Sequence, residues 1–496
     1  MLQAMAAVSI GLASAIFAFA IGAGGTGSIL AAVVVGLLGG GAVGALFYLR
    51  LPLDPRACSR GLLLVSGVAT LLALAQLARL SVFMIDSSRA GYSSMPASEW
   101  ETQHSCLSAY YVAGREVSST PNVYDDKLYS LPSNPAAPRV PRKLGIFNID
   151  VYEYPPPFLI LPRLLGLLTT DFERTRGLWF GLTGGLLLLV MTWIARTLGP
   201  TFGTRALLLS PLVWLSVPMI STLQKGNVQA IVIAGSLLAM LLFERRRWAA
   251  GGLVLAFLTL GKLYPGMLIL FLLARRQWRA VAWTAAMAVG LVAVSVIDVG
   301  WRPYDAFVDH MPGLLSGEAF PAFRRPMAIA GNYSIPGLVF KLKLFGISGM
   351  SFGTMKLVGW LYTLIVIAAT VWAARRSWRN DEKPLVWMAV LILATLRSPF
   401  LPQAYAGLPP LWLLTLLGAR ATNQTKALAA VLGGWIAFNL YWPTDWPMDP
   451  RLLALVTGVP QALTIALPAF ALFAERQAAS EHVASDRLVP ASATGA

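Results

Sequence analysis

Residues 29–49, ILAAVVVGLLGGGAVGALFYL, carry no charged side chain over a length that crosses the hydrocarbon core of a bilayer as helix. Runs of this kind recur along most of the chain. In lipid every backbone N–H and C=O must be satisfied within the protein, which leaves helices and closed barrels as the available folds. The two-residue alternation of a membrane barrel is absent. With 56% hydrophobic and only 12% charged residues among 496, the sequence specifies an all-α polytopic membrane protein. The first run, AMAAVSIGLASAIFAFAIGAGG, lacks a basic start and leads directly into another, so a retained helix is expected rather than a cleaved signal.

A net charge of +16, from 39 Lys and Arg against 23 Asp and Glu, would suit a nucleic-acid binder if the cations formed one patch. They do not. ERRRW, ARRQWR and ARRSWR each follow an apolar run, the position at which positive residues mark cytoplasmic loops. The charge therefore reports topology, and no nucleic-acid partner is expected. Cys58 and Cys106 are predicted on opposite membrane faces and unpaired.

Apolar runs and flanking cations predict spans near 5–22, 28–50, 61–85, 177–196, 203–222, 227–243, 280–299, 354–374, 384–396, 402–418, 426–441 and 452–473. Residues 86–156 and 300–335 then form extracytoplasmic loops, and the small, polar tail 474–496 is expected to be disordered and cytoplasmic. One segment departs from simple alternation. WAAGGLVLAFLTLGKLYPGMLILFLLA lies between ERRR and RRQWR, so both of its ends belong in the cytoplasm. The Gly-Lys-Leu-Tyr-Pro-Gly break divides it into halves of about 20 Å at 1.5 Å per residue, too short to cross. A re-entrant hairpin with Lys262 near its tip is predicted, giving about fourteen hydrophobic segments.

Nucleotide-binding loops, His-Glu-x-x-His, Cys-x-x-Cys and a nucleophile elbow are absent, and three histidines make a multi-histidine metal site unexpected. No metal and no cofactor is predicted. What remains is a set of polar groups in the loops of one face. Asp86 follows the third span, Glu101 and His104 lie in SEWETQHSCLSAYY, and Asp150 and Glu153 precede three prolines in NIDVYEYPPPFLILP. A carboxylate at a dry membrane boundary can serve as general base toward an acceptor hydroxyl. The prolines fix their own φ and bias the preceding residues to extended geometry, which holds Glu153 and Tyr154 at the surface. Lys262, ionisable within an apolar hairpin, suits a lipid phosphate. Lys225, Asn227 and Gln229 add polar groups where a span begins.

YPPPFLILPRLL, then KGNVQAIVIAGSLLAMLLFERRRWAAGGLVLAFLTLGKLYPGMLILFLLARRQWRA, then GNYSIPGL and RSPFLPQAY resemble, in order, signature regions of glycosyltransferase family 87, within the GT-C superfamily. The resemblance covers roughly residues 61–420. It implies a GT-C-like bundle of about 12–14 transmembrane helices in the plasma (inner) membrane, with residues 1–60 as an added helical pair and 61–473 as the catalytic domain. It also implies an inverting, metal-independent transfer at the extracytoplasmic face, from a polyprenyl-phosphate sugar to a lipid or glycan acceptor among membrane lipids. Mannose is the first expectation and arabinofuranose the second. The family's base is an Asp soon after its first helix, a position that Asp86 occupies, while Glu101 and His104 lie nearer the AYYVAGRE segment. Glu153 completes the set of candidate bases. Tyr154, Lys225, Asn227, Gln229, Lys262, Tyr264, Asn332 and Gln403 fall in the matching stretches as expected substrate contacts. A lipid-linked sugar transporter is the rival class, but it would place charges within the spans.

Overall fold

A computed structural model describes residues 1–51, 53–131 and 139–473; the predicted polar tail, 474–496, lies outside the described residues. Every predicted hydrophobic segment coincides with helix. Only seven described helices are long and apolar enough to cross a bilayer singly: Leu2–Thr26, Ile29–Arg50, Arg60–Ile85, Phe172–Thr197, Trp278–Val299, Phe352–Ala374 and Pro450–Phe473. The other apolar helices are shorter. The predicted span 203–222 is the clearest case: it is a broken pair, Gly199–Trp214 and Val217–Lys225, bent by 63°. Ser216 caps the second piece by accepting from Met219 N, and Pro218 sits in its first turn, so the chain is set to restart in a new direction.

Helices Leu2–Thr26 and Ile29–Arg50 pack backbone to backbone. Gly36, Gly40 and Gly44 share one face of the second helix, and a Cβ on Gly40 would lie 2.6 Å from the Gly11 carbonyl oxygen. Close approach through small residues is how helices associate in lipid, where burial alone gives little drive.

Basic loop ends gather at one end of the bundle. Lys383 pairs with Glu244 at 2.6 Å, Arg420 lies 3.3 Å from Asp381, and the Arg275 guanidinium donates to the Arg376 carbonyl at 3.2 Å. The Arg-Arg-x-Trp motifs close two such turns in the same way. Arg246 and Arg276 both take φ of 58°, and the next residue in each donates back to a helix carbonyl at 2.9 Å. Helix Trp248–Gly261 leaves this end, and Gly266–Ala274 returns to it. The reversal at residues 262–265 is the hairpin tip expected from the sequence, with Gly266 against the Thr259 side chain.

Residues 86–131 and 139–156 fold over the opposite end. A three-stranded sheet, unforeseen in the sequence, ties this loop together: β1 (His104–Ser105) runs parallel to β3 (Phe147–Ile149), and β2 (Lys143–Leu144) pairs antiparallel with β3. The register sets His104 beside Asn148. Side chains two apart share a strand face, so Asp150 emerges on the same side. Helix Cys106–Glu116 follows β1 without a gap. The triple proline behaves as anticipated at its start, with Pro155 extended and Pro156–Leu159 a short 3-10 turn leading into Ile160–Leu168. Its aromatic neighbours are packed rather than displayed: Tyr110 stands edge-on to both Tyr154 and Phe158, with centroids 5.1 Å away in each case.

Candidate active site

A cavity of about 890 Å³ opens at this end, between the 86–156 loop, the hairpin tip and the 321–331 and 397–405 segments. Its polar wall holds His104, Cys106, Asp150 and Glu153 from the loop, Lys225 and Asn227 from the broken helix, and Lys262 from the hairpin tip. Its apolar arm is lined by Phe307, Met311, Leu314 and Leu315 of helix Arg302–Ser316, facing Trp360 and Val366 of Phe352–Ala374. A polar head joined to an apolar slot is the shape required by an amphipathic molecule.

The four candidate bases separate in this frame. Asp86 is absent from the cavity wall and turns outward, accepting from Ser88 and lying 3.5 Å from Arg89, with 47% of its side chain exposed. The Ser88 hydrogen bond holds its carboxyl below the usual carboxylate range. Glu101 is also absent from the wall and fully buried. The Lys225 ammonium lies 2.9 Å and 2.8 Å from its two oxygens, and the Tyr441 hydroxyl donates to it. This is a closed pair that fixes the 217–225 helix to the loop. Neither Asp86 nor Glu101 lines the cavity, because position in the sequence says nothing about which way the loop turns.

His104 and Glu153 do line the cavity. Burial lowers the His104 imidazole below its ordinary value, so it is neutral at pH 7. Burial first, and the neighbouring Asp150 charge second, push the Glu153 carboxyl up to about 8, with Lys262 and Arg139 pulling it partly back. Glu153 is therefore mostly protonated at neutral pH and a hydrogen-bond donor. Asp150, between them in the wall, keeps 38% of its side chain exposed to the cavity. Two carboxyl groups in one site with divergent environments are suited to divergent roles.

Seven of the eight expected contacts line the cavity: Tyr154, Lys225, Asn227, Gln229, Lys262, Tyr264 and Gln403. They form a connected wall. Tyr264 donates to Gln229 at 3.1 Å, Gln229 N donates to Asn227 at 2.9 Å, and Asn227 donates to Cys106 Sγ at 3.3 Å. Lys262 lies 5.3 Å from the Tyr154 ring centre. Asn332 is the exception. It is fully buried and donates to the Pro399 carbonyl while accepting from Ser334 N and Leu401 N, a brace between two segments.

Among the described residues, the wall cations Lys262, Arg324, Arg325 and Arg397 make no ion pair, so four remain available to an anion. Arg325 lies 5.7 Å from the Trp100 ring, which itself stacks on His104 at 4.6 Å. Sequence reasoning did not single out Cys106, Trp100 or Tyr405 as site residues. Tyr405 is brought there from 301 residues away to stand 3.2 Å from His104 Nε2. His104, Cys106 and Asp150 also converge, with one ligand atom of each within 4.8 Å of the others, a grouping able to hold a metal ion.

The fold and the site thus define a multi-pass membrane protein whose polar cavity, backed by an apolar slot, lies beneath a structured loop at one end of the helices. Residues 152–401, about half of the chain, match the model of glycosyltransferase family 87, and the chain belongs to that family. It is 26% identical over 224 residues to the polyprenol-phosphate-mannose-dependent alpha-(1-2)-phosphatidylinositol mannoside mannosyltransferase of Mycobacterium tuberculosis (strain ATCC 25618 / H37Rv). That stretch is 45% of this chain and 48% of the relative, so the match spans about half the length of each.

Proposed function

We propose that this protein transfers a sugar, mannose by analogy with its relative, from a polyprenyl-phosphate donor to a hydroxyl of a lipid or glycan acceptor at the extracytoplasmic face of the plasma membrane. The observation that carries the reading is the union in one cavity of two carboxyl groups, four cations without an ion pair and an apolar slot. The polyprenyl chain lies along Phe307, Met311 and Leu314, and its phosphate meets Lys262 at the hairpin tip. The acceptor hydroxyl attacks C1 of the sugar as the C1–O bond to phosphate breaks. Asp150 takes the hydroxyl proton, and the phosphate leaves with its charge held by Lys262 and by a hydrogen bond from protonated Glu153. A single displacement from the face opposite the leaving group inverts the anomeric centre. Orientation and charge stabilisation supply the catalysis, since a phosphate-bonded C1 already has a good leaving group.

The deciding experiment uses membranes containing the full chain, radiolabelled polyprenyl-phosphate mannose and a lipid extract. A labelled glycolipid is expected. Absence of transfer from both mannose and arabinofuranose donors, with labelled donor moving across sealed vesicles instead, would replace this reading by a transporter.

Glu153 adds a pH signature. Its donor form is lost as pH rises through about 8, so donor affinity of the wild type should fall above that pH. Glu153→Gln, a permanent donor, should flatten the alkaline limb. The folded state also holds this proton more tightly than the unfolded chain, whose carboxyl titrates near 4.5. Stability contributed by protonated Glu153 is present at low pH and declines up to about 8. Thermal unfolding in detergent across that range should show the decline in the wild type and lose it in Glu153→Gln.

A further inference from the structure

We infer that His104, Cys106, Asp150 and Tyr405 form a binding site for a transition-metal ion of the Zn2+ class at the cavity wall. His104 Nε2 lies 3.6 Å from Cys106 Sγ and 3.9 Å from Asp150 Oδ2. The Tyr405 hydroxyl is 3.2 Å from that nitrogen and 3.3 Å from that sulfur. A tetrahedral ion with bonds of about 2.0 Å to nitrogen or oxygen and 2.3 Å to sulfur places its donors roughly 3.3–3.6 Å apart. Three of these four separations are close to this range, and the fourth closes with a small turn of Asp150, the donor most exposed to the cavity.

The donor set decides the kind of ion. One thiol, one imidazole and oxygen donors suit Zn2+ or Co2+, whereas Mg2+ and Ca2+ require oxygen alone. Cys106 opens helix Cys106–Glu116, which fixes its sulfur against His104 and Tyr405, and Asn227 donates to that sulfur at 3.3 Å. The buried Lys225 is compensated by Glu101, and Arg325 is held off by the Trp100 ring, which lies between it and His104 in a stack 4.6 Å from the imidazole. Binding replaces the S–H bond of Cys106 by a metal–sulfur bond and releases the proton to water.

The consequence for activity rests on the function proposed above. A metal ion holding Asp150 removes the base from the acceptor hydroxyl, so Zn2+ should inhibit transfer, and a chelator should restore it.

The test takes the full chain, purified in detergent and stripped with chelator, and titrates it with Co2+. Wild type should develop a thiolate-to-cobalt charge-transfer band and the visible bands of tetrahedral Co2+, reversed by Zn2+. Cys106→Ser should abolish the charge-transfer band and Asp150→Asn should weaken the visible bands, while Cys58→Ser, which alters the other thiol, should leave both intact. A sharp thermal transition of each metal-free variant verifies folding, and should Cys106→Ser fail it, His104→Ala and Asp150→Asn decide the matter. No band in the wild type, or bands that survive Cys106→Ser and His104→Ala, would overturn the site. Bands without Zn2+ inhibition of transfer would retain the site and overturn the assignment of Asp150 as base.

Discussion

Asp150→Asn is expected to lower sugar transfer by about 10²–10⁴-fold, the usual contribution of a positioned general base, while leaving donor binding intact. The replacement keeps the shape and removes the ability to accept the acceptor proton. Asp150 lines the cavity, and its main-chain N–H is held by Ser108 Oγ at 3.0 Å, so the loop should keep its course. Transfer rates with labelled donor, together with a donor-binding measurement, separate the two effects. The same measurement on Asp86→Asn provides the contrast: an exposed carboxylate paired with Ser88 and Arg89 should change the rate little. A full loss in Asp86→Asn with activity preserved in Asp150→Asn would return the base to the position that the sequence resemblance favours.

Glu101→Gln is expected to act on stability. Removing one partner of a buried ion pair costs about 3–5 kcal/mol, because the charge left behind has no water to return to. Here that charge is the Lys225 ammonium, whose side chain is 2% exposed, and its remaining neighbours are the rings of Tyr405 and Tyr441 at 5.6 Å and 5.8 Å. A marked drop in the thermal transition of the detergent-solubilised protein is the readout. Lys225→Met on the Glu101→Gln background should recover part of the loss, since the pair is removed together. If Glu101 instead acted as base, Glu101→Gln would abolish transfer at unchanged thermal stability, and the double change would rescue nothing.

Much of the architecture is legible in the sequence. The apolar runs mark the helices, the Arg-Arg-x-Trp motifs mark one end of the bundle, and the Gly-Lys-Leu-Tyr-Pro-Gly break marks the hairpin tip that carries Lys262 into the cavity. These are properties of short stretches: the length of an apolar run against a bilayer, the avoidance of buried charge, and the effect of proline and glycine on a helix all act within one or two turns. Seven of eight expected contacts line the cavity for a related reason, since polar residues at helix starts on one face face the same space once the helices are bundled.

Which carboxylates line the cavity was decided elsewhere. Glu101 looked like a loop acid available for chemistry until Lys225, 124 residues on, was found against it. Asp150 gained its place through the β1–β3 register, formed by strands of two and three residues that no periodicity could announce. The meeting of His104 and Cys106 with Tyr405 spans about 300 residues, and the 63° break after Trp214 depends on how Ser216 and Pro218 are seated in the bundle. The sequence by itself determined that the chain is a helical membrane protein, where its helices lie, and which end of the bundle carries the polar loops, because hydrophobic partition and local backbone chemistry act on contiguous residues. Which polar groups neutralise each other and which remain open to a substrate was decided only in the tertiary structure, because a charge finds its partner through the packing of segments distant in the chain.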